Sequence, residues 1–175
     1  GREVILTLFG PLDGDVELTE LLLRRARLRA HVSHPNLAAH YGADYVHDRV
    51  GFWAEHVAGR SLAEVVASGG RFGVQRACEI VATVCDAVGA IHAAGIANGG
   101  VSAHHIIETP DPLVLLASVC ADRGPLMAPP CSPVADVTAL GRLLYFLLTG
   151  DNSEINLSTT LVSELRQVRP DVSSP

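Results

Sequence analysis

The sequence predicts an α+β fold of two lobes, a small β-rich lobe with one helix followed by a mainly helical larger lobe. Two observations carry this. Short β-rich runs come first and long apolar helical stretches follow. The chain has 175 residues and is 48% hydrophobic, enough for one sizeable core or for two small lobes sharing a hinge, and not the composition of a disordered chain.

Each element can be justified in order. Glu3 to Phe9 (EVILTLF) is a β-rich run closed by Gly10-Pro11 and Asp13-Gly14. Asp15 is placed to cap a helix running to about His31, with Leu21, Leu22, Leu23 and Ala26 supplying an apolar face, and His34-Pro35-Asn36 stops it. Leu37–Val46 and Val50–Val57 read as a strand pair around His47-Asp48-Arg49. Ser61 and Glu64 have capping-box spacing at the head of a short helix to Ala67. Ala77 to Ala93 is a long helix with Ile80, Val84, Val88 and Ile91 on one face, which predicts the core of the larger lobe. Val114–Ala117 reads as a buried strand, Pro125 to Pro133 as proline-rich loop, and Val137–Leu148 as a helix ending at Thr149-Gly150.

A formal net charge of −6 argues against nucleic acid or an anionic membrane as the main partner. All 13 basic residues are arginines, and Arg24, Arg25, Arg27 and Arg29 spread around one helix as a solvated cluster rather than a stripe. Cys78, Cys85, Cys120 and Cys131 show no zinc spacing, and buried reduced thiols are expected. No apolar run is long enough to span a bilayer, so no membrane insertion of this segment is expected.

Five segments in register resemble one family. Glu3-Val4-Ile5-Leu6-Thr7 resembles a V-A-I-K strand, and Ser33-His34-Pro35-Asn36-Leu37 an S-H-P-N-I loop. Phe52 to Gly59 (FWAEHVAG) resembles a hinge, and Ile91 to Ile96 (IHAAGI) the lead into a catalytic loop. Asp136-Val137 with Leu140-Gly141 and Leu147-Leu148-Thr149-Gly150 resembles an S-D-V-x-x-L-G…L-L-T-G helix. On these motifs the chain resembles a bacterial, eukaryotic-like Ser/Thr protein kinase domain over about 150 residues. The resemblance implies a kinase-like bilobal fold truncated at both ends, with a partial small lobe and hinge over 1–57 and a partial large lobe over 58–175. The lysine-free Ala/Arg/Gly/Val bias fits a GC-rich genome such as an actinobacterium's.

The same resemblance implies lost chemistry. Thr7 stands at the strand lysine that would hold the α/β-phosphates, and Arg25 at the helix glutamate that would pair with it. The loop H-R-D-L-K-P-x-N becomes Asn98 to His105, so Gly100 replaces the base aspartate, Ser102 the lysine and His105 the magnesium-binding asparagine. Ser118-Val119-Cys120 stands at D-F-G, with Ser118 in place of the metal carboxylate. Compensation by Asp122 of Asp122-Arg123-Gly124, or by Arg25 reaching a phosphate, is the alternative. His104-His105, on an extended segment, would point to opposite sides and offers no third metal ligand, so no metal site is expected.

The hinge Ala54, Glu55, His56 and Val57 keeps the backbone that would hold an adenine, and small Ala54 leaves the back of the cleft open unless Phe52, Trp53 or a neighbour fills it. Poor or absent binding of ATP and magnesium is expected, and hence no cofactor. Ala128-Pro129-Pro130 resembles A-P-E without its glutamate and follows Ser118 by only ten residues, and Val168 to Ser173 resembles a phrase before late kinase helices.

The resemblance therefore implies a pseudokinase: an inactive, cytoplasmic interaction or regulatory scaffold, which can belong to a membrane-anchored protein. Its expected partner is an active Ser/Thr kinase or a forkhead-associated-domain protein, with Ser158, Thr159 and Thr160 as candidate phosphoacceptors. The alternatives are a nucleotide-sensing switch or a weak atypical Ser/Thr kinase.

Overall fold

In the computed structural model, residues 3–110, 114–115 and 131–151 are described. The order is β1 (Val4–Phe9), α1 (Val16–Arg29), β2 (His40–Val46), β3 (Arg49–Glu55), β4 (Arg60–Ser61), α2 (Leu62–Gly69), α3 (Val74–Ala93), β5 (Ile106–Glu108), β6 (Val114–Leu115) and α4 (Pro133–Thr149).

The first lobe is a three-stranded antiparallel sheet in the order β1-β3-β2 with α1 against it. His47 and Asp48, at φ 51° and 57°, form the tight β2–β3 turn, the left-handed pair that suits the twist of a two-residue hairpin. The register sets Thr7 opposite Phe52 and Ile5 opposite Ala54. Val50, Phe52 and Ala54 are buried, as expected of alternate β3 positions facing one way. Leu12, Leu22, Ala26, Val50 and Phe52 form this lobe's core. Asp15 caps α1 by accepting the Leu18 N–H at 2.9 Å, as its sequence position predicts.

The second lobe packs α3 against α4 beside a small β4-β5-β6 sheet. Its core gathers Leu62, Ile80, Ile91, Ile106 and Leu147, all fully buried. Leu37, from the connection between α1 and β2, is buried in this same cluster. The Ser61–Glu64 capping box forms in both directions, with Glu64 N–H to Ser61 Oγ at 3.2 Å and Ser61 N–H to Glu64 Oε2 at 2.8 Å. Gly150 closes α4 at φ 77°, donating to the Phe146 carbonyl at 2.7 Å.

Several expectations are corrected. α3 begins at Val74 and α4 at Pro133. The proline that reads as loop occupies the first turn of α4, where its missing N–H costs nothing, and Ser132 caps the helix through Ala135 N–H at 3.1 Å. Three-residue β5 carries too short a pattern to read from sequence.

Arg29 is not solvated: it is 3% exposed, donating to the Val32 carbonyl at 3.2 Å and the Ala38 carbonyl at 3.5 Å. Burial pulls its guanidinium pKa down to about 10. Cys78 and Cys85 are free and exposed rather than buried, each one helical step past the buried Ala77 and Val84. Cys131 is disulfide-bonded rather than reduced. Ser118, Asp122, the Ala128-Pro129-Pro130 motif, Ser158, Thr159, Thr160 and the Val168–Ser173 phrase lie outside the described residues.

Candidate functional site

The positions that the sequence assigns to a cleft lie on β1, at the end of β3 and in the loop between α3 and β5. Thr7 is half-buried on β1 opposite Phe52. Phe52 stacks with Phe9 and with His40, both at 5.3 Å between ring centroids. His40 is itself opposite Ala54 in the β2–β3 register, and Ala54 is 8% exposed. The space beside the small Ala54 is thus taken by a buried aromatic group of Phe52 and His40. Trp53 does not contribute, because its ring lies over Gly42 on the other face, where a Cβ would stand 2.7 Å from Cζ2.

The segment that resembles a hinge continues β3. Glu55 donates its N–H to the Ala39 carbonyl at 2.8 Å and accepts the Ala39 N–H on Oε2 at 3.1 Å. His56 is exposed and 3.2 Å from the Glu3 carboxylate, and Val57 is half-buried. Gly59 ends the segment tight against β5, where a Cβ would stand 2.5 Å from the Glu108 carbonyl oxygen. Only glycine fits so close a backbone approach.

The loop after α3 is held by one buried carboxylate. Asp136, 1% exposed in the first turn of α4, accepts the Asn98 N–H and the Gly99 N–H at 2.8 Å each and meets His92 Nε2 at 2.7 Å. Backbone donors and the positive end of α4 stabilise this buried carboxylate. Gly99, at φ 70°, adopts the left-handed backbone that aims its N–H there. The Asn98 amide is 3% exposed, and among the described residues neither Oδ1 nor Nδ2 reaches a hydrogen-bond partner.

Gly100, Ser102 and His105 come together. His105 Nδ1 lies 2.7 Å from the Gly100 carbonyl and 3.1 Å from Ser102 Oγ. A carbonyl can only accept, so Nδ1 carries the proton and donates to it. Residues 102–105 form a turn rather than an extended segment, closed by His105 N–H to the Ser102 carbonyl at 3.0 Å. His104 is exposed while His105 is half-buried against Gly100, so the two rings still do not share a site. Arg25, half-buried, lies on α1, which packs on β2 and β3, whereas Thr7 lies on β1.

The loop positions Gly100, Ser102 and His105 present no carboxylate. Gly100 offers no side chain, Ser102 is neutral, and the Nδ1 of His105 is committed to a carbonyl. Among the described residues no three His, Cys, Asp or Glu side chains converge as a metal ion would need. No helix among them is long and apolar enough to cross a membrane.

In the sequence His92 and Asp136 stand only as parts of motifs, with no role of their own. The signal was present: Asp136 shares a helix face with Leu140, Leu143 and Leu147, and a carboxylate on a core face must find donors.

No protein-family profile matches the chain. Among solved structures it is similar to the crystal structure of the Mycobacterium tuberculosis PknI kinase domain, with a TM-score of 0.76 and 21% identity, covering 95% of this chain and 70% of that one. At this identity the likeness shows the fold: the chain has the two-lobed protein-kinase fold, with a small antiparallel-sheet lobe and a helical lobe.

Proposed function

We propose that this chain is a catalytically inactive kinase-fold domain, a pseudokinase that works as a protein-interaction and regulatory scaffold in bacterial signalling or cell-envelope control. The observation that carries the reading is Gly100. The loop around it is held in place by Asp136, yet the position at which the fold would present a proton-accepting carboxylate has only a hydrogen, and its carbonyl is occupied by His105. Thr7, in place of a cation, stands on the same sheet face as the buried aromatic group of Phe52. These losses fall on groups that act as a unit, so a single compensating residue does not replace them.

The proposed partner is a protein, either an active Ser/Thr kinase or a forkhead-associated-domain protein that reads phosphorylated Ser158, Thr159 or Thr160. The proposed setting is cytoplasmic. A nucleotide-sensing switch is the second reading, favoured by the intact β3 end and the hinge backbone at Glu55–Val57.

Thermal unfolding with ATP and ADP, with and without magnesium or manganese, separates the readings. The scaffold predicts no saturable shift at millimolar nucleotide. A ligand at 100 times its Kd would add about 2.7 kcal/mol and be plainly visible. A saturable shift without phosphoryl transfer selects the switch, and metal-dependent transfer to a protein substrate overturns inactivity.

A further inference from the structure

The turn between β2 and β3 reaches back to the connection that feeds α1. The Asp48 carboxylate accepts the N–H of Asp13 on Oδ2 at 3.1 Å and that of Gly14 on Oδ1 at 3.4 Å, and its backbone carbonyl accepts Leu12 N–H at 3.1 Å. Tyr45 Oη donates to Asp48 Oδ1 at 2.8 Å and fixes the carboxylate. Arg49 Nη1 donates to the Gly10 carbonyl at 3.3 Å. Gly10, at φ 118°, lies so near that a Cβ would stand 2.8 Å from the Asp48 carbonyl oxygen. Asp15, which follows Gly14, donates its N–H to the Leu12 carbonyl at 2.9 Å and caps α1.

We infer that this clasp is a positioning device for α1, with Asp48 and Tyr45 as positioning residues that fix where the helix starts and therefore where Arg25 stands. The other anchor is apolar: Leu12, Leu22 and Ala26 packed with Val50 and Phe52. Burial of that face holds α1 to the sheet but is non-directional, whereas three hydrogen bonds to Asp48 and one from Arg49 fix the entry of the helix. The titratable and charged groups around the clasp are Tyr45 and Asp44 on β2, His47 in the turn, Arg49 on β3, and Asp13 and Asp15 in the connection. Protonating Asp48 would remove an acceptor from the centre of this set. The inference holds whether or not the domain binds nucleotide.

Amide hydrogen exchange of the whole chain without nucleotide tests it. Asp48→Ala is expected to speed exchange over residues 12–29 by roughly threefold to tenfold and to leave α3 unchanged, with Asp48→Asn, which keeps one acceptor oxygen, in between. Tyr45→Phe is expected to act on the same residues more weakly, and its difference from the wild type should vanish at acid pH. Unchanged exchange over 12–29 in Asp48→Ala overturns the inference and leaves the apolar anchor as sufficient. Should Asp48→Ala loosen α3 as well, Tyr45→Phe decides: a change confined to 12–29 supports the clasp, and no change overturns it.

Discussion

His92 Nε2 stands 2.7 Å from Asp136 Oδ2, joining the last turn of α3 to the first turn of α4 across 44 positions of sequence. The same carboxylate holds the Asn98 and Gly99 amides. Asp136→Ala would strand two inward-facing backbone donors and is expected to lower stability by about 3 kcal/mol, read as a fall in the urea midpoint. Asp136→Asn keeps one acceptor oxygen and should lose less.

Ile80 is fully buried in the larger core. Ile80→Ala should cost about 2–5 kcal/mol, set by how far α4 can relax into the space left, and should appear as a lower melting temperature with an unchanged denaturant slope.

The capping box at α2 offers a smaller effect. Ser61→Ala removes the acceptor of the Glu64 N–H and should cost about 1 kcal/mol in an equilibrium urea titration.

Tyr45 and Asp48 predict a pH dependence of known sign. Their shared hydrogen bond raises the Tyr45 pKa above the ordinary phenol value and lowers that of Asp48 below the ordinary carboxylate value. The contribution of Asp48 is present above the unfolded carboxylate pKa of about 4 and is lost as the pH falls through its lowered value. That of Tyr45 is present below about pH 10 and is lost as the pH rises through its raised value. The gap in urea midpoint between wild type and Tyr45→Phe should therefore be flat from about pH 5 to about pH 9 and close at both ends.

Gly59→Ala would drive a methyl group into the Glu108 backbone. It is expected to separate the hinge from β5 and destabilise the larger lobe, with faster amide exchange at Ile107 and Glu108 as the readout.

The elements legible in the sequence were those whose signals are local. Asp15, the Ser61–Glu64 pair, the left-handed His47-Asp48 turn and Gly150 each act within one turn of chain, and each stands where its chemistry requires. The kinase fold was legible through five spaced motifs, and the structural likeness supports it. What was not legible depended on distant partners. Arg29 reads as one more solvated arginine until the Val32 and Ala38 carbonyls close over it. Asp136 reads as a motif letter until the loop at Asn98 folds onto it, and β5 exists only because β4 and β6 flank it. Pro133 reads as loop because a proline that starts a helix and one that marks a loop look alike in sequence.

Leu37 belongs to the early half of the sequence, yet it is buried in one hydrophobic cluster with residues of α2, α3 and α4 from the later half. A cut between Val57 and Ala58 would divide a single hydrophobic cluster. The early piece would keep Leu12, Leu22, Ala26, Val50 and Phe52 together but expose Leu37, and the later piece would lose that apolar neighbour from its core, so the two peptides should each be less stable apart and associate on mixing. The natural unit of cooperativity is therefore the joined pair of lobes, with Leu37 as the rivet.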